Sequence, residues 1–260
     1  MKIFVINLDR APQRLERMAS LFAGLGLDFT RVPAVDGRDL ADRQGSGSRK
    51  GMYYDLGSGE IGCFLSHIKC WDAALQQDTE YSVIFEDDVH FGSGARALLV
   101  DPGWIPADAD VVKLETTMVR TLMDRNSVAC AGDRSVRRLR DTHPGTGAYI
   151  VSRKGARKLL DLSTDFADPV DQFIFNPVSE AWDALTTYQV DPAICVQEVV
   201  IGKDGSTQAL ASGLKHERPV QEKARGGKKL IKELARPLGR LATSIGASLR
   251  GQRWGKVRFR

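Results

Sequence analysis

Tyr81-Ser82-Val83-Ile84-Phe85-Glu86-Asp87-Asp88-Val89 is the stretch that decides how this chain folds. A run of β-branched and aromatic residues stops at three consecutive carboxylates. The apolar run predicts a buried strand, whose interior has no use for acids. Its end is different, because open α/β sheets bind ligands beyond the carboxyl ends of their strands. Carboxylates clustered there repel one another unless a cation sits between them. A hard, oxygen-seeking divalent metal suits that position and would in turn hold a phosphate-bearing ligand. The competing reading is an acidic turn whose Asp caps the next helix.

Working outward, the chain alternates strand and helix signals. Residues 2–8 read as a first strand. Pro12 opens a helix whose Leu15, Met18, Leu21, Phe22 and Leu25 recur at helical spacing, and Gly24 and Gly26 end it. Residues 27–35 read as a second strand, and residues 36–59 as a long Gly/Ser/Asp/Arg loop of the kind that serves function. Ile61, Phe64, Leu65, Ile68, Trp71 and Leu75 put a buried stripe on a helix over residues 60–75. Beyond the acid-tipped strand, residues 111–114 form a short strand ending in Glu115, and residues 121–140 a small antiparallel excursion. Residues 145–151 form a strand entered through a Gly-rich turn. Ser152 caps a helix through Leu162, residues 169–175 form a short helix and residues 193–196 a late strand. The alternation predicts an α/β fold with a mostly parallel sheet flanked by helices on both faces.

Composition bounds the function. The chain has 260 residues, 42% hydrophobic and 27% charged, enough for one large domain with an appendage. No apolar run approaches the ~20 residues needed to cross a bilayer, and the N-terminus lacks the h-region and cleavage site of a signal peptide. Cys63, Cys70, Cys130 and Cys195 are widely spaced, which suits free thiols in a reducing cytoplasm better than a zinc site. Residues 222–260 hold twelve Lys/Arg against Glu222 and Glu233, a net of +10. With +4 for the whole chain, residues 1–221 carry −6. An acidic body is thus joined to a basic amphipathic C-terminal tail. Leu230, Leu234, Leu238, Leu241, Ile245 and Leu249 fall on one helical face, with Lys228, Lys232, Arg236 and Arg240 nearly opposite. Pro237 and Gly239 would interrupt it. Together with the aromatic and basic residues 254–260, this pattern suits the surface of an anionic membrane. A helix packed on the body and an RNA-binding tail are the alternatives, the latter short of stacking aromatics. The division expected is a catalytic domain over residues 1–213 and a tail over residues 214–260.

Several blocks in order resemble glycosyltransferase family 25, the bacterial lipopolysaccharide-biosynthesis enzymes related to collagen galactosyltransferases. They are Val5-Ile6-Asn7-Leu8-Asp9-Arg10 with Arg14, and Ala34-Val35-Asp36-Gly37. Gly59-Glu60-Ile61-Gly62-Cys63-Phe64-Leu65-Ser66-His67 is the most specific. Phe85-Glu86-Asp87-Asp88, Gly147-Ala148-Tyr149-Ile150-Val151-Ser152 with Gly155-Ala156, Pro169-Val170-Asp171 and Pro192-Ala193-Ile194-Cys195-Val196-Gln197 follow. The resemblance spans residues 2–208. It implies a GT-A-type, Rossmann-like fold, a Mn2+ or Mg2+ ion, a UDP-sugar donor (usually UDP-galactose), and an inverting mechanism. The acceptor it implies is a lipid-linked or other oligosaccharide, reached from the cytoplasmic face of the inner membrane.

On that reading Asp88, with Glu86 or Asp87 helping, holds the metal that meets the departing diphosphate. Asn7 and Asp36, at the ends of the first two strands, grip the nucleoside together with Asp87, and Arg10 and Arg14 meet phosphate. Inversion needs a general base on the acceptor hydroxyl. Asp171, which opens a short helix, is the choice, with Asp168 and Glu198 as rivals. His67 takes a catalytic role from its place in the motif, although a His beside an apolar stripe also serves structure. Glu60 also reads as a helix-start carboxylate. His143 and His216 are further ligand or phosphate candidates, and Lys113 and Glu115 line the acceptor side. The alternatives are a non-catalytic sugar-nucleotide or membrane-binding relative, and another metal-dependent phosphate or nucleic-acid enzyme. The absence of a P-loop and of a basic-aromatic motif speaks against the last, and no nucleic-acid partner is expected.

Overall fold

The computed structural model describes residues 1–44, 55–202 and 246–260. The first part of the chain forms β1 (Lys2–Asn7), α1 (Pro12–Leu25), β2 (Thr30–Pro33), α2 (Gly37–Gln44), α3 (Ser58–Leu75) and β3 (Tyr81–Glu86). β4 (Val89–Phe91), α4 (Ala95–Val100), β5 (Val111–Lys113), β6 (Arg120–Asp124), β7 (Ala129–Ala131) and β8 (Arg134–Arg138) follow. The rest comprises β9 (Ala148–Ser152), α5 (Arg153–Leu162), α6 (Val170–Phe175), α7 (Glu180–Ala184), β10 (Thr187–Asp191), β11 (Cys195–Gln197), α8 (Glu198–Ile201) and β12 (Gln252–Lys256).

An 8-stranded sheet runs in the order β2-β1-β3-β9-β5-β10-β8-β7. β2, β1, β3, β5, β10 and β7 point one way, while β9 and β8 run against them. The sheet is mostly parallel, as expected, and its two reversed strands matter. Because β9 lies antiparallel between β3 and β5, its entry, residues 145–147, arrives at the same sheet edge as the acidic end of β3.

Strand alternation sorts side chains onto two cores. Phe4, Ile84, Tyr149 and Val151 face α3, α5 and α6, joining Phe64, Trp71, Leu159 and Phe173. Ile3, Val5, Val83, Phe85 and Ile150 face α1 and α4, joining Met18, Phe22 and Leu98. At the head of α5, Ser152 Oγ accepts from Gly155 N at 3.0 Å, a cap that contributes about 1 kcal/mol.

Three regions depart from expectation. Residues 37–44, read as loop, form the helix α2. The 121–140 excursion is antiparallel, but β8 joins the main sheet beside β10 and β6 pairs with β12. The end of the chain, expected at a membrane surface, returns to the body. β12 pairs with β6 from Gln252↔Asp124 to Lys256↔Arg120, Val257 is fully buried, and Ala193 N donates to Arg258 O at 2.7 Å. The acidic body supplies the reason: Arg253 pairs with Asp191 at 2.6 Å and Arg260 with Asp133. Residues 203–245, which include the last residues of the expected catalytic domain and most of the expected tail over residues 214–260, lie outside the described residues. Among the described residues no helix is long and apolar enough to cross a membrane.

Candidate active site

The three acids of the triplet end β3 and the turn after it, and they fare differently. Asp87 is nearly saturated. Asn7 Nδ2 donates to its Oδ2 at 2.7 Å and Arg14 Nη1 to its Oδ1 at 2.9 Å. Arg17, on the next turn of α1, reaches the Asp87 carbonyl at 3.2 Å and the Val89 carbonyl at 2.6 Å, pinning the turn itself. β1 is parallel to β3 with Ile6 opposite Glu86, so Asn7 falls beside the triplet by register.

Glu86 is held by side chains from three directions. His67 Nε2 lies 3.3 Å from its Oε1, Thr146 Oγ1 donates to Oε1 at 2.6 Å, and Gln197 Nε2 donates to Oε2 at 2.9 Å. Burial opposes its charge, but the His67 contact, with Thr146 and Lys113, outweighs that and keeps the carboxyl below its ordinary value.

Asp88 is the exception. Among the described residues its side chain takes one hydrogen bond, from Gln197 Nε2 at 3.3 Å. Burial, with Glu86 alongside, pushes its pKa up to about 7. A half-buried carboxylate so poorly supplied with donors asks for a proton or a cation. Its backbone is firm nevertheless, since Glu198 N donates to Asp88 O at 2.8 Å. The short ribbon of β4 and β11, which sets Gln197 opposite Val89, makes both contacts possible.

The entry to β9 is clamped from below. Lys113 and Glu115 are fully buried and 2.9 Å apart, and the Lys113 ammonium also bonds the Gly145 carbonyl. It sits 4.1 Å from the centre of the Phe175 ring. Gly145 has φ +93, and a Cβ there would stand 2.5 Å from Glu115 Oε1, so glycine is required twice over. The loop delivers three groups: the Thr146 hydroxyl to Glu86, the Gly147 carbonyl to Glu86 N at 2.9 Å, and Gly145 N to Asp171 Oδ2 at 3.0 Å. Asp171 Oδ1 accepts from Gln172 N at 2.8 Å, which steadies the first turn of α6.

The motif from Gly59 to His67 is explained by close packing. α3 presses on the exit of β2, where a Cβ on Gly62 would lie 2.6 Å from the Val35 carbonyl. Ser66 Oγ accepts from Val35 N at 2.8 Å and donates to Gly62 O at 2.6 Å. This fixes the chain just before Asp36, whose carboxylate Arg38, joined by Arg10 at 2.7 Å, holds well below the usual range. Cys63, one turn before His67, is raised by burial and by the field of Glu86, Asp171, Asp88 and Glu60, which marks where these carboxylates converge. Cys63, His67 and Glu86 also offer ligand atoms within 4.8 Å of one another.

The expected residues thus gather at one sheet edge, with adjustments. Arg10 and Arg14, expected on phosphate, are paired with Asp36 and Asp87. His67 is fully buried behind Glu86 with both ring nitrogens bonded, which matches the structural alternative for a His beside an apolar stripe. His143 is also fully buried, bonded to Gln189 Oε1 at 2.7 Å and pushed down to about 3 by burial and by Lys113. Lys113 and Glu115 lie beneath the glycine loop instead of lining an acceptor site. Glu198 offers its backbone N to Asp88 O, and Asp168 lies two residues ahead of α6. His216 lies outside the described residues. Thr146, Tyr149, Gln197 and Arg17 were not singled out by sequence for any role, because strand pairing or helix docking brings them to the triplet.

A divalent ion fits this donor set. Such an ion binds through one or two carboxylates and completes its shell with waters and substrate phosphates. Asp88 is the carboxylate with coordination to spare, and Glu86 or Asp87 lies next to it.

Comparison with known proteins bears on the family. The profile of glycosyltransferase family 25 (LPS biosynthesis protein) matches residues 1–174. Lacto-N-neotetraose biosynthesis glycosyltransferase LgtB of Neisseria gonorrhoeae is 32% identical over 235 residues, covering 86% of this chain and 84% of that protein. LgtE of the same organism, also a lacto-N-neotetraose biosynthesis glycosyltransferase, is 29% identical over 99% of this chain and 96% of its own length. Lipooligosaccharide biosynthesis protein lex-1 of Haemophilus influenzae is 32% identical over 70% of this chain and 62% of its own.

Proposed function

Because the chain belongs to glycosyltransferase family 25, we propose that it transfers a hexose, galactose in the simplest case, from a UDP-sugar to a lipopolysaccharide or lipooligosaccharide glycan. The observation that carries this reading is the division within the triplet. Protein donors satisfy Glu86 and Asp87 and leave Asp88 in need of positive charge.

Asp88, with Glu86 or Asp87, would hold Mn2+ or Mg2+. The bound ion supplies charge to meet the diphosphate as it leaves. Asp36, kept ionised between Arg10 and Arg38 at the end of β2, is placed to bind the nucleoside. Asn7 and Arg14 hold Asp87, so that the β1 end, α1 and the triplet act as one rigid rim. In an inverting displacement the acceptor oxygen bonds to the anomeric carbon as the bond to the diphosphate breaks. The acceptor's proton goes to Asp171, which Gly145 N holds in place. Lys228, Lys232, Arg236 and Arg240 in the sequence support work at an anionic membrane surface, where a lipid-linked acceptor would lie.

A panel of UDP-hexoses, read as UDP release with Mn2+ and with chelator, tests this. One UDP-hexose should release UDP in a metal-dependent way, faster when a lipooligosaccharide acceptor is added. Binding without release in every arm would identify the non-catalytic alternative. Release that survives chelation would reject the metal reading.

A further inference from the structure

We propose that Trp71, Tyr149 and His67 form a one-way chain of hydrogen-bond donors ending on Glu86, which makes His67 a positioning residue for the acidic triplet rather than a cation ligand. The chain begins with a group that can only donate. Trp71 Nε1 lies 2.8 Å from Tyr149 Oη, and an indole N–H has no acceptor capacity. The Tyr149 oxygen therefore receives this bond and must place its own proton elsewhere. Among the described residues its other partner is His67 Nδ1, at 2.8 Å. An imidazole that accepts at Nδ1 carries its proton on Nε2. That nitrogen faces Glu86 Oε1 at 3.3 Å.

Burial and ring packing keep this order. Trp71, Tyr149 and His67 are each fully buried, so solvent does not compete for their protons. The rings are also held in place: His67 stacks on Tyr149 with centroids 5.7 Å apart, and Trp71 stacks on Phe173 at 6.3 Å. The helix α3 supplies Trp71 and His67 four residues apart, on one face. β9, the strand inserted antiparallel beside β3, supplies Tyr149 between that face and the triplet.

The same proton order decides what the Cys63–His67–Glu86 trio is. Its atoms are close enough to surround an ion, but ligation at His67 Nε2 needs the lone pair there. Freeing that lone pair would move the proton to Nδ1, against a Tyr149 oxygen already receiving the indole. Among the described residues the Tyr149 proton would then have no acceptor in this buried setting. The trio is a hydrogen-bonded support. Its product is an oriented Glu86 anion, with Thr146 sharing Oε1 and Gln197 on Oε2, and an adjacent Asp88 left open. The part concerning a donor-bound metal rests on the proposed sugar transfer, whereas the proton order does not.

The test is long-range 1H–15N correlation on the full chain with 15N-labelled histidine and no added metal, with His67 assigned by its loss in His67→Gln. The wild type should show Nε2 protonated and Nδ1 bare, unchanged by equimolar Zn2+. Tyr149→Phe should scramble that tautomer and weaken Mn2+ binding in the presence of UDP by about 10- to 100-fold, as outer-shell losses do. Trp71→Phe keeps the Tyr149 hydroxyl on His67 and should retain the wild-type tautomer, which keeps the test open if Tyr149→Phe does not fold. A proton on Nδ1 in the wild type, or a His67 Nε2 signal displaced by Zn2+, overturns the proposal. A chain with the expected tautomer that transfers no sugar would count against the proposed function and still support this proton order.

Discussion

Replacing Lys113 by Met is expected to damage both stability and the candidate site, by an amount the structure allows to be estimated. Lys113 and Glu115 are fully buried and 2.9 Å apart. Burial raises the Glu115 pKa, and Lys113 is the largest influence pulling it back. Removing the ammonium leaves a buried carboxylate without its counter-charge, a loss of about 3–5 kcal/mol. At about 2–4 °C per kcal/mol for a domain of this size, Tm should fall by on the order of 10 °C. Lys113→Met with Glu115→Gln removes the stranded charge along with its partner. The double variant should therefore be more stable than the sum of the two losses by about 2–3 kcal/mol. The Gly145 carbonyl also loses its donor, so the loop carrying Thr146 and steadying Asp171 should loosen, lowering kcat more than raising the donor KM. Differential scanning calorimetry of the wild type and three variants reads the cycle. Additive single losses, each under about 1 kcal/mol, would refute the reasoning.

Other consequences follow from particular contacts. Asp88 has a folded pKa raised to about 7 above an ordinary value near 3.8, so its stabilising contribution is present below the ordinary value and lost as pH rises through about 7. Metal-free protein should accordingly lose stability between about pH 4 and pH 7 through this group, while protection by Mn2+ with UDP grows over the same window and then levels; Tm against pH with Asp88→Asn as control checks both. Gly62→Ala drives a Cβ to within 2.6 Å of the Val35 carbonyl, and chemical denaturation should register a loss of about 1–3 kcal/mol, with a raised donor KM because Asp36 shifts. Reversing the charges of Lys228, Lys232, Arg236 and Arg240 should abolish sedimentation with anionic vesicles and leave transfer to a soluble acceptor intact; unchanged sedimentation would remove the membrane proposal. Val257→Ser, which puts a hydroxyl into the buried contact of the chain end with the body, should lower Tm, contrary to a chain end that floats free.

What could be read from the sequence and what could not divide along a physical line. β1 and β3 announce themselves as continuous apolar runs buried on both faces, α1, α3 and α5 as helices with one buried stripe, and the Ser152 cap is a local bond. The triplet stood out because an apolar strand cannot absorb acids. The partners of those acids did not stand out. Thr146 reaches Glu86 only because β9 runs antiparallel beside β3, and Gln197 reaches Asp88 only because β11 pairs with β4. Neither pairing leaves a mark in a single sequence. Arg10 and Arg14 looked like phosphate ligands, since a short-range reading does not see the carboxylates waiting for them. The chain end misled for a similar reason. Trp254, Val257 and the neighbouring cations match an interfacial pattern, yet Asp191 and Asp133 of the body take two of those cations and Val257 joins the core.

Asp88, the acid of the triplet with the fewest protein donors among the described residues, is the proposed cation ligand. Electron paramagnetic resonance of Mn2+ titrated into the full chain with UDP present measures this directly. About one ion should bind per wild-type chain, in keeping with a single carboxylate site completed by substrate phosphate. Asp88→Asn should bind none while melting no lower than the metal-free wild type. Equal Mn2+ binding by the two proteins would contradict that assignment.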